Sequence, residues 1–98
     1  MADNHLKHIT LLYEKSDSDD TGPYIARKYR ILYGSLDPKL VVKRLETCNF
    51  DIIGVEHEKK CIVCENKSVH RKVEKRIRKT LASIDKDIEQ ASKAEKDV

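Results

Sequence analysis

The sequence predicts an α+β fold of order ββαββα, a four-stranded antiparallel sheet with two helices packed on one face and a long C-terminal helix. Three observations carry that prediction. Runs rich in β-branched and aromatic residues, alternating apolar with polar, recur at 6–14, 24–33, 50–56 and 60–65. A stretch at 35–48 with helix-start chemistry separates the two pairs of runs. From Ser68 to about Ala91 the apolar residues change to helical spacing.

In the first run, LKHITLLYE, period two sets Ile9, Leu11 and Tyr13 on one side and His8, Thr10 and Leu12 on the other. The following SDSDDTGP, residues 16–23, combines Ser, Asp, Gly and Pro, so an acidic loop is expected there. The second run, YIARKYRILY, places Ile25, Arg27, Tyr29, Ile31 and Tyr33 on one face, with Lys28 and Arg30 on the other. Gly34 ends it. Ser35 or Asp37 can then cap a helix, and Pro38 sits in the first turn, where its missing N–H costs nothing. Leu40, Val41, Leu45 and Cys48 supply its apolar stripe, and Asn49 its stop. FDIIGVE and KCIVCE predict a second hairpin joined near 57–60, with Gly54 a candidate bulge. Residues 66–68 are expected to turn, with Ser68 as N-cap of the last helix. In that helix Val69, Val73, Ile77, Leu81, Ile84 and Ile88 fall in one wedge. The tail, about 92–98, is expected to fray.

The 98 residues make a single domain, 1–98, with a modest core, since charged residues (38%) nearly equal hydrophobic ones (39%). No apolar stretch is long enough for a membrane span or a secretory signal. Three cysteines, an odd number, argue against a disulfide scaffold. An intracellular protein is expected, in cytoplasm or in nucleoid or nucleus.

Charge is strongly segregated. Residues 59–79 hold nine cations and only Glu65 and Glu74 as acids, while residues 1–58 and 80–98 are each net negative. Arg71, Lys72, Lys75, Arg76, Arg78 and Lys79 crowd the polar side of the last helix. Like charges three and four residues apart disfavour a helix unless something negative lies close. Such a helix suits a phosphate backbone, where cations release condensed counterions. Lys67, Lys28 and Arg30 extend the candidate nucleic-acid-binding set. Tyr29, with Tyr24 and Tyr33, adds aromatics to the cations of the second strand, the makings of a stacking platform. The bland alternative is a solvated helix face and half-buried tyrosines.

Other chemistry is weaker. Cys61-Ile-Val-Cys64 has the spacing of a zinc half-site, with Cys48, His57 and His70 as possible further ligands. Ile62 and Val63 resemble strand core, however, and cysteines three apart on a strand point to opposite faces. Buried thiols and no metal are therefore expected. Asp17, Asp19 and Gly22 match the opening of a calcium loop, but Lys28 stands where its bidentate Glu is required. Ser16 and Ser18, set among acids, are potential phosphorylation sites. No nucleophile, metalloprotease or phosphate-loop motif is present, so neither enzymatic activity nor a cofactor is expected.

The leading expectation is thus a non-enzymatic nucleic-acid-binding or regulatory module, its partner DNA, RNA or an acidic protein surface. The alternative is an adaptor, subunit or inhibitor, homodimeric through Ile77, Leu81, Ile84 and Ile88, with basic and acidic helix halves paired antiparallel.

Overall fold

The computed structural model describes residues 6–68 and 71–96, and within the last stretch the side chains of 75–91. The element order is β1 (Ile9–Asp19), β2 (Gly22–Leu32), α1 (Pro38–Thr47), β3 (Phe50–Glu56), β4 (Cys61–Ser68) and α2 (Arg71–Lys96). All strand pairs are antiparallel and the sheet order is β1-β2-β4-β3, leaving β1 and β3 at the edges. Both hairpins therefore lie side by side, joined through β2 and β4. The predicted architecture holds.

One face of the sheet carries Ile9 from β1, Tyr29 and Ile31 from β2, Ile62 and Cys64 from β4, and Phe50, Ile52 and Val55 from β3. Against them pack Val41 and Leu45 of α1 and Ile77, Leu81, Ile84 and Ile88 of α2. Those four α2 residues are 0–3% exposed. The expected dimer contact is corrected accordingly: this stripe is occupied by the molecule's own core. An apolar stripe at helical spacing records only that something buries it, and here the sheet does.

The acidic loop at 16–23 is also corrected. β1 runs through Asp19 and β2 resumes at Gly22, so only Asp20 and Thr21 turn. The Asp19 carboxylate accepts from Thr21 N (2.8 Å) and Thr21 Oγ1 (2.6 Å), and Gly22 takes φ 121, a conformation open to glycine. These contacts hold the Asp19 carboxyl below its ordinary range. Pro23 is accommodated opposite Ser18 because β4 pairs with β2 only as far as Ile25, leaving Pro23 with no ladder partner on that side. Strong turn formers thus serve a two-residue connection, and the flanking acids become exposed strand.

A bulge interrupts β1. Leu11 pairs with Tyr29 and Tyr13 with Lys28, so Leu12 is extra. Leu11 and Tyr13, expected on one side, consequently lie on opposite faces. Gly54 does mark a bulge, with Ile53 the additional residue of β3.

The helices follow their local chemistry, with three differences. Asp37 caps α1, accepting from Lys39 N at 3.0 Å, and Asn49 ends it at φ 64. Leu40, assigned to the apolar stripe, is instead 63% exposed, and Val42 packs in its place. Ser68 is no N-cap. It is the last residue of β4, paired with Ile25, because the long β2 offers a ladder partner that far. Its hydroxyl accepts from Arg27 Nη1 at 3.2 Å. α2 extends to Lys96, beyond the expected onset of fraying. Val69 and His70 lie outside the described residues, as does the side chain of Val73.

Two predictions follow from this packing. Ile84→Ala should cost about 2–5 kcal/mol in urea denaturation, since it empties a fully buried site, whereas Leu40→Ala should stay within about 0.5 kcal/mol. In an NMR titration the Asp19 carboxyl should lose its proton at lower pH than a free aspartate, and Thr21→Ala should raise that value by removing the hydroxyl donor.

Candidate nucleic-acid interface

Burying the stripe of α2 turns its cations outward. Lys75, Arg76, Arg78 and Lys79 are all exposed, and none has a carboxylate within ion-pair distance among the described residues. Arg71 and Lys72 lie on the same helix by backbone, but their side chains are outside the described residues.

The acidic second half of α2 is used differently. Asp85, 8% exposed, accepts from the backbone N–H of His8 at 2.7 Å. Asp87 pairs with Arg44 of α1, and Glu89 pairs with Lys7. Contacts within the chain therefore occupy Asp85, Asp87 and Glu89, the described acids of the half expected to meet a second helix. The hairpin acids Asp17, Asp19 and Asp20 do not fold over the cations of α2. Their described contacts are local: Asp17 with Lys15 and Ser18 N, Asp19 with Thr21.

The remaining predicted cations are elsewhere. Strand alternation and register put Lys28, Arg30 and Lys67 on the sheet face opposite the helices. Lys28 Nζ lies 5.5 Å from the Tyr13 ring centroid, and Lys67 Nζ lies 5.0 Å from that of Tyr24. Tyr13 donates its hydroxyl to Glu65 at 2.6 Å, a bond that raises its phenol pKa. Lys28, Arg30 and Lys67 therefore cannot share one surface with α2. The tyrosine platform also comes apart. Tyr29 is an inward residue in edge-to-face contact with Phe50, centroids 6.0 Å apart, and Tyr33 is buried. Only Tyr24 remains on the outer face, joined there by Tyr13.

A groove of 390 Å3 lies between the β1–β2 hairpin and α2. Leu11 and Tyr29 line the sheet side; Arg78, Lys79, Leu81 and Ala82 line the helix side. Glu14 and Arg27 also line it, with Arg27 Nε 2.7 Å from Glu14 Oε1. Burial raises the Tyr29 phenol, while the charges of Arg27 and Arg78 oppose the rise. Glu14, Arg27, Leu11 and Ala82 were not candidates in the sequence. The Glu14–Arg27 pair needs the strand register, which the bulge at Leu12 shifts.

The metal candidates do not converge. Cys64 lies in the core, Cys61 contacts Glu56 at 3.6 Å on the other face, and Cys48 contacts Thr80 at 3.2 Å. His57 Nδ1 lies 3.5 Å from the Tyr33 hydroxyl, and His70 is outside the described residues. Among the described residues no cluster of His, Cys, Asp and Glu is placed to hold a metal ion, and no helix is long and apolar enough to cross a membrane.

No protein-family model, curated protein or solved structure matches this chain.

Burial pushes the Cys64 thiol up to about 12 from its ordinary 9.0. Below the unfolded value the thiol is neutral in both states. As pH rises through the interval up to the folded value, the unfolded chain releases this proton first, and the stabilising contribution is lost. The stability advantage of the wild type over Cys64→Ala should therefore shrink between about pH 9 and about pH 12 in paired denaturation curves. In native thiol labelling at neutral pH, half-buried Cys48 should react before Cys64.

Proposed function

We propose that this chain acts by binding nucleic acid through the basic first half of α2. The observation that carries the reading is the group Lys75, Arg76, Arg78 and Lys79, exposed and without an ion-pair partner among the described residues. Isolated surface cations are ordinary, but four within five residues of one helix are not. Like charges at three- and four-residue spacing repel one another on a helix. A phosphate backbone relieves that repulsion and releases counterions on binding. The open sheet face is a weaker candidate, because its cations alternate with Glu65, Asp51 and Glu56 and two of them already lie over tyrosine rings. A nucleic-acid partner and three cysteines outside any disulfide fit a protein of a reducing, intracellular compartment.

A second reading, docking to another protein, is favoured by the edge of β1. Ten of its eleven residues are exposed, among them Leu11, Leu12 and Tyr13 at 49%, 42% and 42%. An added strand or a second copy would use that edge, since the apolar stripe of α2 is already covered.

Fluorescence anisotropy with labelled oligonucleotides tests the first reading. The logarithm of affinity should fall with the logarithm of salt concentration at a slope of about −3 or steeper, as four phosphate contacts require. Charge reversal at Lys75, Arg76, Arg78 and Lys79 together should abolish binding at low salt, with the far-UV spectrum unchanged. Reversal at Lys28, Arg30 and Lys67 should leave affinity within about twofold, since these residues occupy the other face. No binding by the wild type at low salt contradicts the proposal.

A further inference from the structure

The groove beside α2 gives this surface a selectivity that charge alone does not. We infer that it receives an unpaired base of single-stranded nucleic acid, with the flanking phosphates held by Arg78 and Lys79. The inference rests on the nucleic-acid reading above and narrows it to single strands.

Three observations support it. First, the groove is a recess rather than a flat surface, and its 390 Å3 lies within the range of small-ligand sites, about 300–1,000 Å3. Its walls are mostly apolar, from Leu11, Leu81 and Ala82, with one aromatic ring, Tyr29. A splayed base finds apolar and aromatic surface there, the usual setting for recognition of unpaired bases. A base in a duplex is stacked and paired, and cannot enter.

Second, the exposed cations at the groove come from α2, whereas Arg27 on the sheet side is paired with Glu14. Arg78 and Lys79 border the groove from α2, exposed and unpaired among the described residues. Across the groove the hairpin contributes the Glu14 carboxylate, while Asp17 and Asp19, opposite Tyr24 and Gly22, lie on the open sheet face. A duplex straddling the groove would bring its second phosphate backbone toward that carboxylate. A single backbone following Arg78 and Lys79 avoids it.

Third, polar groups are present at the groove wall without crowding it. The Glu14–Arg27 pair, with Arg27 also bonded to Ser68, presents a carboxylate and a guanidinium in fixed positions. Such groups can meet the donor and acceptor edges of a base entering beside them.

The test compares a short labelled single strand, as RNA and as DNA, with the duplex formed from it, at matched low salt. Wild-type protein should bind the single strand about tenfold tighter, the scale of one base–aromatic contact. Ala82→Met and, separately, Ala82→Ile fill the groove from its helix wall without altering its charge or adding a ring on which a base could stack. Each should remove the preference while leaving duplex affinity and Tm in place. Ala82→Leu, at the same exposed helix position, should reduce the preference if either variant perturbs folding. Equal affinity of the wild type for single strand and duplex overturns the inference, as does a preference that survives in the groove-filling variants. In both cases the polyanion reading of α2 stands. Failure to bind any oligonucleotide at low salt overturns that reading and the inference with it.

Discussion

The seating of α2 on the sheet is the contact on which the rest of this molecule depends. Ile77, Leu81, Ile84 and Ile88 occupy one stripe and are almost entirely withdrawn from water. Each such burial is worth about 1.5–3 kcal/mol. Rotating the helix to shelter its cations would expose that stripe, so packing fixes the orientation of the charges. Asp85, Asp87 and Glu89 reinforce the seating by engaging the His8 N–H, Arg44 and Lys7. The basic half receives no comparable compensation from the described residues. Its surplus of charge is a consequence of how the core is made.

The long β1–β2 hairpin is the second determinant. Eleven-residue strands joined by a two-residue turn make it the longest part of the sheet, whose other strands have seven and eight residues. The bulge at Leu12 turns Tyr13 to the open face and Glu14 to the helix side, where it meets Arg27. One inserted residue thereby decides which side chains border the groove and which lie under Lys28. The open face, with cations, carboxylates and tyrosines interleaved, is close to electrical balance, and the helix surface is not.

Much of this was legible in the sequence, and the remainder was hidden for physical reasons. Element order, the Asp37–Pro38 helix start, the Asn49 stop and the bulge near Gly54 follow from local chemistry that does not depend on distant partners. The stripe of α2 was equally visible, but periodicity cannot distinguish a sheet from a second helix as its cover. Residues 16–23 contain enough turn formers for a loop, yet β2 offers pairing partners to all but two of them. Ser68 has cap chemistry and is claimed by the same ladder. Lys28, Arg30 and Lys67 were grouped with the helix on charge alone, although strand alternation sends them to the far face. The groove itself joins Leu11, Arg27 and Arg78, residues far apart in the chain, and needs both the register shift at Leu12 and the rotation of α2. No local signal contains either.

Among the described residues, the exposed cations of α2 without an ion-pair partner are concentrated in its first half. Mapping amide shifts by NMR while titrating a generic polyanion, short-chain polyphosphate, locates the surface that attracts negative charge. Changes should concentrate at Lys75–Ala82 and the adjoining groove residues of β1 and β2, and fade with added salt. Changes spread instead over Lys28, Arg30 and Lys67, or absent from α2 at low ionic strength, would contradict this placement.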